Sequence, residues 1–473
     1  MSGQNYDVDL CVIGGGSGGL SVVAGAAQLG RKCVLIEKGK MGGDCLNYGC
    51  VPSKALLAAG AAAQNARDAA KFGVTAEPTV DFKKAMAHVR GVIASIAPHD
   101  SQERFEGLGA IVLRDHARFT GPREVKAGDA TVRAKHFVIA TGSSPVVPPI
   151  DGLQDVPYFT NETLFDNDEL PRRLIVLGGG AIGVEMAQAH ARLGAEVVLV
   201  EGATILGRED PEAVELVRER LKSEGVEVVE NAFADKVAKA ADGGVEITLK
   251  SGDVVRGSHL LVAVGRRANA ADLGLEAAGV ETDKKGIVVD DRLRTANKRV
   301  YAIGDVAGGA QFTHVAGDHA STIVRNVLFK APAKRRDHLA PHVTYCDPEL
   351  AQVGLTEADA RDKHGDDVSV ARWAIEENDR AKAERREDGF IKVVTDKKGR
   401  ILGVTVVGKA AGDEIGMWAY ALANGEKIRS VTNMIAPYPT RSEISKRAAS
   451  AYYTPTLFSD RTRTLVKALA VFD

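Results

Sequence analysis

Short apolar runs parted by glycine clusters set the rhythm of the N-terminal half. VDLCVI at 8–13 and KCVLIE at 32–37 predict strands, and LSVVAGAAQLG at 20–30 carries a helical pattern between them, so the three form a βαβ unit. The same order returns in RRLIVLGGGAIGVEMAQAHARLGAEVVLVE at 172–201. The alanine-rich run VPSKALLAAGAAAQNARDAA at 51–70 predicts a helix, with Pro52 suited to its first turn. One long helix is expected over 81–109, and from 342 onward alternating strands lead to helices near 412–424 and 440–451.

Glycines give the two repeats their chemistry. Gly14, Gly16 and Gly19 satisfy G-x-G-x-x-G between strand and helix, and Glu37 follows where a carboxylate can hold a ribose. Gly178, Gly180, Gly183 and Glu201 repeat the spacing, which places two dinucleotides on one chain, as hydride transfer from a nicotinamide to a flavin requires. A carboxylate at Glu201 repels a 2'-phosphate, so NADH is expected over NADPH, with Arg208 downstream as the counterweight.

The 473 residues call for three or four domains, and a net charge of −2 offers no field for nucleic acid or an anionic membrane. MSGQNYDVDLCVIGGG lacks the basic and apolar regions of a leader, and no apolar window is long enough to cross a bilayer. Five cysteines, Cys11, Cys33, Cys45, Cys50 and Cys346, fit a reducing compartment, so a cytoplasmic enzyme is expected, in which any disulfide is catalytic.

GGDCLNYGC at 42–50 sets Cys45 and Cys50 five positions apart. That interval lacks zinc-ribbon spacing and no second pair of ligands lies nearby, so no metal is expected. Both cysteines fall at or before a helix N-terminus, where the macrodipole favours a thiolate.

GGDCLNYGCVPSK resembles the active-site signature of the FAD-dependent pyridine nucleotide-disulfide oxidoreductases, whose members include dihydrolipoamide dehydrogenase, glutathione reductase and mercuric reductase. The resemblance implies an α/β fold: two Rossmann-like dinucleotide-binding domains, for FAD and NAD(P), and a C-terminal α+β domain that makes a homodimer. It implies FAD and NAD(H) as cofactors, Cys45 as the thiol that meets the acceptor, Cys50 as the thiol facing the flavin, and Lys54 paired with Glu185 beside the flavin. VIATGSSP (Ala140, Thr141, Gly142) resembles the crossing between the first two domains, and VYAIGDVAGG supplies Gly304 and Asp305, the latter for the FAD ribityl chain. AVGRRAN, with Gly265, resembles the family with alanine where proline is usual. Lys38 beside Glu37, and Gly43, complete the cofactor set. The expected domains are 1–150 with the redox pair, 151–270 for NAD(P), 271–340 returning to FAD, and 341–473 for dimerisation.

APYPTRSEISKRAA departs from that pattern, because Tyr438 stands where dihydrolipoamide dehydrogenase and glutathione reductase carry a histidine, while Glu443 agrees with their glutamate. A tyrosine near pKa 10 is ionised about one part in a thousand at neutral pH, a handicap of roughly 4 kcal/mol as a base. Reduction of an acceptor therefore suits the chain better than oxidation of dihydrolipoamide, unless His314 or His319 intervenes. Mercuric reductase also has a tyrosine near this place and a segment similar to GREDPEAVE, but its paired C-terminal cysteines are missing from LVKALAVFD. The expected activity is an NAD(P)H-dependent, mercuric-reductase-like reduction of a small disulfide or other electron acceptor. A dihydrolipoamide dehydrogenase and a flavin transhydrogenase or oxidase with an idle disulfide are the alternatives.

Overall fold

The computed structural model describes residues 4–472. Its chain gathers into two compact units, one of residues up to 203 together with 229–337, the other of 204–228 together with those from 338 onward.

In the first unit β1 (Asn5–Ile13), α1 (Ser17–Gln28) and β2 (Cys33–Ile36) form the βαβ unit, with Leu10 beside Cys33 and Ile13 beside Ile36 in parallel register. β3 (Ile111–Leu113) lies beyond β2, β4 (Ala130–Ile139) flanks β1, and the strand Val300–Ala302 joins β4, all in parallel. Val34 and Ile36 enter one core while Cys33 and Leu35 enter the other, which explains a strand without polar alternation. Cys11 and Cys33 are fillers of these cores, and burial pushes the Cys33 thiol up to about 11.

β5 (Arg173–Leu177), α3 (Ala181–Arg192) and β6 (Glu196–Val200) repeat the unit, and β7 (His259–Val262) pairs with β5 in parallel. The short strands Ser143–Pro145 and Arg266–Ala268 pair antiparallel where the chain passes between the two halves. The expected helix at 81–109 is broken: Phe82–Ile96 is helical, Pro98 sits in a tight turn at Ala97–Asp100, and Ser101 caps a new helix, Gln102–Gly107. Proline cannot continue the ladder, and the Ser101 hydroxyl accepts from the Arg104 N–H at 3.2 Å.

The second unit is built on an antiparallel sheet of β8 (His342–Thr344), β9 (Glu349–Gly354), β10 (Val368–Ala374), β11 (Phe390–Asp396) and β12 (Ile401–Gly408), in the order β8-β9-β12-β11-β10. Helices α6 (Ala411–Ala423) and α7 (Glu443–Ala451) contribute to its core around the buried Trp418, whose indole N–H donates to Ser445 at 2.8 Å. Between β10 and β11 lies the short helix α5 (Asp379–Ala383). Lys392 of β11, nearly buried, pairs with Asp210 at 2.8 Å and Glu212 at 3.1 Å, fixing α4 (Pro211–Ser223) in this unit.

Candidate active site

Each glycine loop is shaped by the carbonyl beneath it. A methyl on Gly14, at φ +111°, would lie 2.3 Å from the Ala140 carbonyl, and on Gly178, also at +111°, 2.5 Å from that of Ala263. On Gly19 and Gly183 it would lie 1.9 Å from the carbonyls of Gly14 and Gly178, so helix and turn close only over glycine. Gly16 and Gly180 head α1 and α3; a methyl on Gly180 would meet no atom within 4 Å, and one on Gly16 only the Gly43 Cα at 3.8 Å, so the helix N-terminal amides lie behind small residues that let a pyrophosphate approach.

The two carboxylates are held alike. Glu37 accepts from the Gly15 and Gly39 amides, both at 2.5 Å, and Glu201 from those of Gly179 at 2.6 Å and Ala203 at 2.9 Å. A cavity of about 230 Å³ opens beside the first, lined by Gly14, Glu37, Lys38, Thr141 and Asn269 among others. Gly43, at φ +60°, crosses over Gly16, where a methyl would meet the Gly16 Cα at 2.7 Å. Ala140 continues the sheet through its bond to the Ile13 carbonyl, while Thr141 Oγ1 and the Gly142 carbonyl both bond Asn269.

Asp305 follows Gly304 in a tight turn and is half-buried, with Ser143 Oγ donating to it at 2.5 Å. Burial pushes its carboxyl up, opposed by Ser143 and Arg266. A carboxylate so placed suits a hydroxyl-bearing chain, so glycine cradle, acid and cavity together fit FAD. Sequence reasoning missed Ser143, Arg266 and Asp44, although all three lie inside the quoted motifs VIATGSSP, AVGRRAN and GGDCLNYGC; Arg266 pairs with Asp44 at 3.0 Å. His319 is structural: its Nδ1 accepts from the Gly304 N–H at 3.1 Å and its Nε2 bonds Asp337 at 2.8 Å. His314 is exposed and stacks on Phe312.

Cys45 lies in the short helix Gly43–Asn47, and Cys50 is the first residue of α2 (Cys50–Asp68). Both are free thiols, joined by a hydrogen bond. That bond brings the Cys50 thiol down to about 6 against the effect of burial, assisted by Thr313 and by the charge of Lys54. Thr313 Oγ1 stands 3.3 Å from the Cys50 sulfur. Cys45, donating to Cys50 and partly buried, is pushed far up. One sulfur is thus the thiolate and the other keeps the proton. Lys54 Nζ bonds the buried Glu185 of α3 at 2.8 Å, which brings together the pair expected from the signature. Thr313 had no sequence signal beyond its place before His314.

Tyr438 and Glu443 belong to the second unit. The Tyr438 hydroxyl donates to Asp379 at 2.9 Å, and Glu443 accepts from Arg447. Asp379 was not legible as a partner. Cys346 is buried with its thiol 3.1 Å from the Pro348 carbonyl, a packed residue.

Residues 8–320 match the pyridine nucleotide-disulphide oxidoreductase family, and residues 340–449 match its dimerisation domain. The chain belongs to this family. This pyridine nucleotide-disulphide oxidoreductase is 36% identical over 455 residues to the mercuric reductase of Streptomyces lividans, covering 94% of this chain and 96% of that one. It is 38% identical over 463 residues to the dihydrolipoyl dehydrogenase of Thermus scotoductus, covering 94% and 97%. Among solved structures, the Cu(II) complex of the HOCl-induced flavoprotein disulfide reductase RclA from Escherichia coli has a TM-score of 0.83 at 27% identity, over 93% of this chain and 99% of that one. Membership makes the chain an enzyme of class I, of a family that binds FAD and a pyridine nucleotide, and its dimerisation domain supports a homodimer. No helix among the described residues is long and apolar enough to cross a membrane.

Proposed function

We propose that this chain is an NADH-dependent reductase of the mercuric-reductase type, passing electrons through Cys45 and Cys50 to a thiol-reactive acceptor rather than oxidising dihydrolipoamide. The observation that carries this reading is Tyr438. Its phenol is bonded to Asp379, and that carboxylate holds its pKa above the usual tyrosine value, so it is no base at neutral pH.

Gly14, Gly16, Gly19, Glu37, Lys38, Thr141 and Asp305 would hold FAD, whose two-electron chemistry links a nicotinamide to a disulfide. Gly178, Gly180, Gly183 and Glu201 would hold NADH. The fixed Glu201 carboxylate, already aimed by two amides, favours a free ribose hydroxyl over a 2'-phosphate.

With the pair reduced, Cys50 is held as thiolate and Cys45 as thiol. Against a disulfide acceptor, the Cys45 sulfur forms a mixed disulfide and its proton leaves with the first product thiol. Cys50 thiolate then attacks the Cys45 sulfur, closing the Cys45–Cys50 disulfide and releasing the second product as thiolate. Tyr438 and Glu443 would be supplied across the dimer on the acceptor side. The cysteine economy of the chain favours the cytoplasm as its place of work.

Soft thiolates also suit a thiophilic metal ion, a reading supported by the mercuric reductase relatives and by the Cu(II) complex of RclA. The dihydrolipoyl dehydrogenase relatives favour the second reading, a dihydrolipoamide dehydrogenase. Steady-state turnover of the FAD-loaded dimer with NADH and NADPH, against lipoamide, oxidised glutathione and Hg(II) with excess thiol, tests both. Fast lipoamide turnover in both directions would overturn the first reading; turnover confined to the other acceptors would support it.

A further inference from the structure

Three contacts tie the segment around Tyr438 to α5. Tyr438 Oη donates to Asp379 Oδ2 at 2.9 Å. The buried Asn378 donates through Nδ2 to the Thr440 carbonyl at 3.0 Å. Arg441 Nη2 lies 2.6 Å from Glu384, a carboxylate that Arg380 and Lys409 also hold. The platform is itself fixed, because Asn378 caps α5 by accepting from the Ala381 N–H at 2.9 Å, and Asp379 is the first residue of that helix. Glu443, the other acceptor-side candidate, is engaged by Arg447 at 2.7 Å.

We propose that Asp379 is the positioning residue of Tyr438, fixing the direction of the phenol hydroxyl so that its oxygen lone pairs face the acceptor. The inference rests on the acceptor-side reading of Tyr438. A hydroxyl whose hydrogen is aimed at a carboxylate is a stronger hydrogen-bond acceptor and a poorer acid than a free one. It therefore holds its proton through neutral and mildly alkaline pH while accepting a bond from a thiol or a product. Among the charged groups around Tyr438, Asp379 acts most strongly to hold the proton and Glu443 adds to it, while Arg447 opposes both without reversing the direction.

The test uses full-length, FAD-loaded wild type, Y438F, D379N and D379E. Ionisation of Tyr438 is read as the part of the ultraviolet phenolate titration that Y438F lacks. In D379N its midpoint should fall by on the order of one pH unit, and NADH turnover with Hg(II) and excess thiol should drop severalfold at neutral pH. D379E should restore the midpoint and part of the rate. An unmoved midpoint in D379N, beside a slowed Y438F, overturns the positioning role alone. Full turnover by Y438F overturns the acceptor-side reading itself, and the proposal falls with it.

Discussion

Because the pulls on Cys45 and Cys50 run in opposite directions, the reduced pair carries a single proton and a single negative charge at neutral pH. The thiolate at Cys50 is complete above its value of about 6 and is lost as pH falls through it. Alkylation of the reduced enzyme by iodoacetamide should accordingly show a limb near pH 6 that is absent from Cys50→Ser. Thr313→Val removes one donor to that thiolate and should move the limb upward by about one unit or less, read from the same pH profile. Had the limb stayed in place, Thr313 would be a neighbour without electrostatic weight. Thr313 and Cys50 are brought together across 263 residues, a closeness that neither local pattern announces, whereas Lys54 and Glu185 were legible because each sits inside a recognisable signature.

At the scale of elements, the two βαβ units were legible nearly whole, since one geometry, a carbonyl beneath a glycine and an acid at the end of the second strand, dictates one spacing. Gly183→Ala sets a methyl 1.9 Å from the Gly178 carbonyl and should destabilise the protein by about 3 kcal/mol. Gly180→Ala meets no atom within 4 Å, so its melting temperature should stay close to wild type while KM for NADH rises. Thermal melting beside steady-state kinetics separates the two variants, and equal destabilisation would mean that the open face above Gly180 is not open in solution. The break near Pro98 was visible as a residue but was overrun by the amphipathic pattern on either side of it. The second unit was less legible, because the acidic and basic residues of α5 look like an ordinary solvated face until the Tyr438 segment is seen bonded to it.

For the whole molecule, the two units should yield to acid in different windows. His190 on α3 is buried, and burial brings its imidazole down to about 4, against the pull of the Met186 carbonyl. Between about 4 and 6.5 the unfolded chain binds a proton that the folded one refuses. The stability tied to His190, about 3 kcal/mol, is thus complete above that window and lost as pH falls through it. In the second unit Glu384, held at about 2 by Arg441, Arg380 and Lys409 against its partial burial, keeps its contribution until pH falls below the ordinary carboxylate range. Both tryptophans, Trp373 and Trp418, lie in the second unit, while the residues proposed to hold FAD lie in the first. Stepwise acidification should therefore release flavin before tryptophan fluorescence changes, and His190→Leu should narrow the gap; coincident transitions would show that the units fail together. The paired strands Ser143–Pro145 and Arg266–Ala268 carry a different consequence. Gly142 at φ +68° and Gly265 at φ +143° stand immediately before them, one at the foot of each strand. The outward and return passages of the chain are therefore zipped into a single pin, so the two nucleotide-binding halves share one paired crossing in place of two independent linkers, and each leg enters it through a backbone turn that favours glycine.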